Sequence, residues 1–102
     1  MFQETELNLK KLGDFLRLAR RRRGWRQEDA AERLSVGIDT VKRAEKGQKG
    51  VSIGCILNML SLYQRMTAFQ DVIDPSKDEV GISQQAERLP ARETGRRYDT
   101  DF

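Results

Sequence analysis

Leu9, Leu12, Leu16 and Ala19 recur at spacings of three and four, with Phe15 beside the stripe. That period predicts an amphipathic helix opening at Asn8, a suitable cap, and closing within Arg20–Arg23. Cations there suit the negative end of the helix, and Gly24 supplies the left-handed stop. Trp25 is then expected to drop into the core. A second helix is predicted from about Gln27 to Leu34, with Ala30, Ala31 and Leu34 inward and Glu28, Asp29, Glu32 and Arg33 outward. Its leading residue, Arg26, is a poor cap where Ser or Thr would be better. Ser35-Val36-Gly37 leaves room only for a corner, plugged by Val36. A third helix is predicted from Ile38 to Lys46, burying Val41 and Ala44 and ended by Gly47.

After a loop, Ser52 is placed to cap a fourth helix carrying Ile53, Ile56, Leu57 and Leu60 at i, i+3, i+4 and i+7. Met59, Leu62 and Tyr63 widen that apolar face beyond what a solvated helix needs. Thr67–Ile73 fits either a short helix or a strand. Asp74-Pro75-Ser76 breaks the chain, and beyond it only Val80, Ile82, Leu89 and the terminal aromatics are large and apolar. Those are too few to build a core. The expected architecture is all-α: residues 8–74 form a folded domain and residues 75–102 an extended tail.

Charge sharpens this picture. The 102 residues carry a formal net charge of +3, but it is unevenly spread. Residues 9–49 hold 13 Lys and Arg against 6 Asp and Glu, a local +7, whereas the flanking segments are mildly acidic. A basic half beside a differently charged one points to a polyanion-binding face. There is no histidine and one cysteine, Cys55. No thiolate or imidazole metal site can be assembled from that, no internal disulfide can form, and the commonest general base is missing. The protein is expected to be a non-enzyme without cofactor or metal, and Cys55 to be a small core residue. The charges in the first 18 residues do not suit a secretory signal, and no apolar run is long enough for a membrane span. A reducing cytoplasm is the expected compartment.

Two brief helices around a tight corner, the second bearing Lys42, Arg43 and Lys46, read as a helix-turn-helix. The stretch LGDFLRLARRRRGWRQEDAAERLSVGIDTVKRAEKG resembles the Cro-like (Xre) phage-repressor family. The marks are the Gln27-Glu28 start, the Ala31 crossing, Val36-Gly37, Val41 and the Glu45-Lys46-Gly47 ending. The resemblance covers Leu12 to about Tyr63 and implies a five-helix repressor-like domain that binds double-stranded DNA. The competing reading is an all-helical adaptor that binds no nucleic acid; the concentration of cations on the motif disfavours it.

The family's phosphate-contacting glutamine matches Gln27. Thr40, Lys46, Lys49 and part of the Arg20–Arg23 run are candidates for the same task, the run's alternative being a solvated helix end. Arg20 matches an arginine that pairs with the glutamate at Glu45, a structural brace. Base reading is expected from Ile38, Asp39, Lys42 and Arg43. Arg43 can grip guanine, Ile38 can press a thymine methyl, and Asp39 can accept from cytosine. For Asp39 the preferred reading is that it caps or polarises the helix N-terminus. Ser35 stands where the family usually has glycine, so strain is expected at the corner.

One recognition helix reads few base pairs, so a homodimer on a pseudo-palindromic operator is expected. Its seam is read as Met59, Leu62, Met66, Phe69, Val72 and Ile73, some of which also serve the core. The segments KGVSIGCILNMLSLY, MTAFQDVIDPSKDEVGI and ERLPAR resemble HipB-like antitoxins, which implies autoregulation and a HipA-like kinase toxin as partner. The alternative is a stand-alone Xre-type regulator, its tail merely disordered.

Overall fold

Two acids in its first turn and three arginines in its last align with the helix dipole along α1 (Gln3–Arg22). This computed structural model describes residues 2–88. The helix begins five residues before the expected Asn8. Nothing in Glu4–Leu7 breaks a helix, and the Asn8 side-chain amide donates back to the Glu4 carbonyl at 2.8 Å, as an interior residue and not as a cap. At the other end Gly24 has φ +73°, and the Trp25 amide bonds the Arg20 carbonyl, so the left-handed stop is where the sequence puts it.

The helix α2 (Gln27–Leu34) starts without a capping side chain at Arg26. Asp29, three residues on, compensates: its carboxylate accepts the Arg26 backbone N–H at 2.8 Å, which holds its pKa below the usual value. The corner turns on Ser35 in the left-handed region, φ 56° and ψ 44°, the conformation glycine would adopt without strain. The helix α3 (Ile38–Glu45) follows; Lys46, expected as its last residue, is its C-cap, and Gly47 lies beyond at φ +73°. Ser52 caps α4 (Ile53–Leu62) by accepting the Cys55 amide at 3.1 Å.

Leu16 of α1, Val41 of α3 and Met59 of α4 are the largest fully buried side chains. Ala19, Ala30, Ala31 and Ala44 fill the rest of the core together with Tyr63, and their small size lets the helices cross closely. The backbones of α1 and the end of α3 approach closely. A Cβ on Gly13 would lie 2.6 Å from the Glu45 carbonyl oxygen, and one on Gly47 2.7 Å from that of Leu9. The inward face of α4 differs from the expected one. Cys55, Ile56, Met59 and Leu62 meet the core, while Ile53 is 67% exposed. Met59, read from sequence as part of a dimer seam, is a core residue, because Met59 and Tyr63 lie one turn apart on the buried side.

The chain divides after Thr67 into two compact units. The ambiguous fifth segment is a helix, α5 (Met66–Val72). In the second unit a 3₁₀ turn (Pro75–Lys77) is capped by Asp74, which accepts the Ser76 amide at 2.9 Å. A sixth helix, α6 (Glu79–Arg88), occupies part of the segment expected to be extended. Its start has a cap that the apolar pattern does not reveal: Asp78 accepts the Gly81 amide at 3.0 Å. Val72, Ile73, Val80 and Ile82 are exposed. Leu89 and the terminal aromatics, Tyr98 and Phe102, which with Val80 and Ile82 are the large apolar residues of the expected tail, lie outside the described residues. No strand occurs among the described residues, and no helix there is long and apolar enough to cross a membrane.

Candidate nucleic-acid interface

The sides of α3 are sorted by its packing. Val41, Ala44 and Glu45 are buried, and the opposite side carries Asp39, Lys42, Arg43 and Lys46, all exposed. Ile38, at the first position of the helix, is 38% exposed, and Thr40 is half-buried. Lys49 is exposed in the loop that follows. The Asp39 side chain makes no hydrogen bond among the described residues, and the cap position is Gly37. Asp39 is therefore not a side-chain cap, and its effect on the helix is limited to its charge in the first turn. Arg43 leans toward the loop edge: its Nη1 lies 4.0 Å from where a Cβ on Gly50 would sit.

The pose of α3 is fixed from behind. Arg20 of α1 donates to Glu45 through Nε at 2.7 Å and Nη2 at 3.0 Å, a two-pronged pair with both residues buried. The hydrogen bonds to Glu45 raise the Arg20 pKa against the opposing effect of burial. The remaining Arg20 nitrogen, Nη1, donates to the Trp25 carbonyl at 2.8 Å. The expected brace is present, and a third helix joins it: Gln27 Nε2 of α2 donates to Glu45 Oε1 at 3.2 Å. One carboxylate thus ties α1, α2 and α3 together, with Gln27 committed partly to it.

The arginine run separates by role. Arg23 donates to the carbonyls of Ala19 and Tyr63 and lies over the Tyr63 ring, 5.2 Å from its centroid. Tyr63 is 6.1 Å from Trp25, whose other neighbour is the Arg33 guanidinium at 4.2 Å. Within this stack half-buried Trp25 packs against the core. Arg21 and Arg22 remain exposed, with no ion pair among the described residues.

Arg17, Arg20, Gln27, Lys42, Glu45 and Lys46 line an open cleft of ≈ 550 Å³. Arg17 was not among the expected site residues. Its signal was its place three residues before Arg20, which puts both on neighbouring positions of α1. Ile38, Asp39, Arg43 and Lys49 do not line that cleft.

A family model described as a helix-turn-helix domain matches residues 11–68. Neither a curated protein nor a solved structure matches the chain. Domains of this kind suggest DNA-binding regulation and are typically non-enzymatic. The matched segment is more than half of the chain and contains both short helices, the left-handed corner and the buried brace, so the chain belongs to the helix-turn-helix domain family.

Proposed function

We propose that the protein is a sequence-specific regulator of transcription that binds double-stranded DNA as a homodimer and represses its own operon. In this reading α3 enters the major groove. Ile38, Asp39, Lys42 and Arg43 meet base edges, while Gln27, Thr40, Lys46 and Lys49 hold backbone phosphates. The observation carrying it is the exposed polar face of a short helix whose other face is locked to α1 and α2 through Glu45. A helix anchored from behind and exposing Lys42 and Arg43 suits base reading because little ordering is left to be done on binding. The dimer follows from the reach of one such helix, which spans few base pairs. The test is an anisotropy titration of the protein against the duplex upstream of its gene and against a random duplex. Selective binding with two chains per site is expected; equal affinity for both duplexes would refute the reading.

A finer proposal is that the protein is the antitoxin of a HipA-like kinase toxin, residues 8–74 serving DNA binding and dimerisation and residues 75–102 the toxin. Its support is the exposed apolar pair Val80 and Ile82 in a segment that a stand-alone regulator would not need. Co-expression with a neighbouring kinase-like gene product checks it. Val80→Asp with Ile82→Asp should weaken capture of the kinase and leave operator binding intact.

A further inference from the structure

Resting on the DNA-binding reading, we propose that Arg17 of α1 is an additional contact to the DNA backbone, and that with Lys46 and Gln27 it seats a phosphodiester in their shared cleft, leaving Lys42, which also lines it, for base edges. Six side chains line this ≈ 550 Å³ opening, and every one is charged or an amide. Arg20 and Glu45 satisfy each other within it. That leaves Arg17, Lys42 and Lys46 as three exposed cations facing one space, with no acidic partner among the described residues.

Like charges gathered around a cleft repel one another, and at separations within a Debye length of about 8 Å salt screens them only partly. They are not a device for stability. An anionic guest relieves the repulsion and displaces its own condensed counterions. The walls say which kind of guest. Pockets for small organic ligands are concave and mostly apolar, with a few polar groups for orientation. No apolar or aromatic side chain lines this one, and it opens to solvent. It can hold phosphate oxygens and let a strand pass.

Arg17 is also held in place. Its helix is pinned to α3 by the Arg20–Glu45 pair and by the backbone approach at Gly13, where no side chain separates the two elements. The guanidinium is therefore presented from a fixed base beside the cations of α3. The contact would extend the footprint from the recognition helix onto α1, outside the bases that α3 reads.

The same chemistry could receive free phosphate, so the test has two arms. In the first, full-length Arg17→Gln, Arg17→Lys and wild type are titrated with operator and random duplex from low to high salt. Arg17→Gln should weaken both duplexes by the same factor, about tenfold to a hundredfold for the two chains of a bound dimer, and reduce the slope of log K against log salt by about 1.8, that is about 0.9 for each of its two phosphate contacts. Arg17→Lys should restore the slope, and both variants should keep the wild-type melting temperature and operator preference. An unchanged slope in Arg17→Gln, with wild type still discriminating the operator, would overturn the Arg17 contact alone. Loss confined to the operator would make Arg17 a base reader and also overturn it. A wild type that binds no duplex would overturn this contact together with the DNA-binding function. In the second arm, inorganic phosphate and pyrophosphate are titrated into the free protein. No saturable binding is expected; sub-millimolar binding lost in Arg17→Gln would assign the cleft to a free anion and overturn the backbone contact.

Discussion

Glu45 accepts from three donors on two other helices, so its removal reaches further than a surface ion pair would. Glu45→Ala leaves the Arg20 guanidinium buried with only the Trp25 carbonyl as partner. The expected loss is about 3 kcal/mol, at the low end for breaking a buried pair because an open cleft adjoins this one. Urea denaturation followed by Trp25 fluorescence measures it; an unchanged midpoint would show that the pair is ornamental to stability. Arg43 and Lys49 divide differently. As a base reader, Arg43→Ala should cost about 1–3 kcal/mol on the operator and relax preference at one base position. As a phosphate contact, Lys49→Ala should weaken operator and random duplex alike. Competition titrations against operators substituted one base at a time separate the two outcomes.

At the scale of elements, two corners carry the testable physics. Ser35 sits at φ 56°, where a Cβ is strained and glycine is not. Ser35→Gly should raise stability by up to about 1 kcal/mol, the relief of strain being partly offset by the greater freedom of glycine in the unfolded chain. A lower melting temperature for that variant would mean that the corner is unstrained. The start of α2 depends on ionised Asp29, whose pKa is lowered chiefly by its hydrogen bond from the Arg26 amide. A lowered folded-state pKa gives stability that is present above the ordinary value of 3.8 and lost as pH falls through the folded value beneath it. Wild type should therefore melt above Asp29→Ala at neutral pH, and the gap should shrink below pH 3.8. Thermal melts across the acid range give the comparison.

For the whole molecule, the uneven charge predicts how it meets DNA. The +7 carried by residues 9–49 should steer association and make affinity fall steeply with salt, by several powers of salt concentration if several phosphates are held. Titration over a salt series gives the slope, and a flat response would be incompatible with a cationic interface. If the protein acts as a dimer, sedimentation should show two chains at the concentrations where the operator is occupied. Exposed Ile53 on α4 in the first unit, and exposed Val72 and Ile73 in the second, are apolar surfaces where substitution by Asp tests the seam.

The helices from Leu9 to Leu62 were legible because their period, their glycine stops and the Ser52 cap are local signals, each acting within a turn or two. The Arg20–Glu45 brace was legible only through family resemblance, since nothing in composition pairs residues 25 apart. The start of α1 at Gln3 is local as well, set by helix-favouring residues and not by the apolar stripe. Other features depended on three dimensions. The buried side of α4 was decided by what it packs against, which placed Met59 inside and Ile53 outside although both are apolar. The cleft of Arg17, Lys42 and Lys46 exists because close crossing at Gly13 brings α1 beside α3. By itself the sequence determined the first four helices, the corner and the sign of the charge, all of which arise between near neighbours in the chain. Which cations face one space, and which carboxylate ties the helices together, only the tertiary structure decided, because packing brings residues from separate helices within hydrogen-bonding reach.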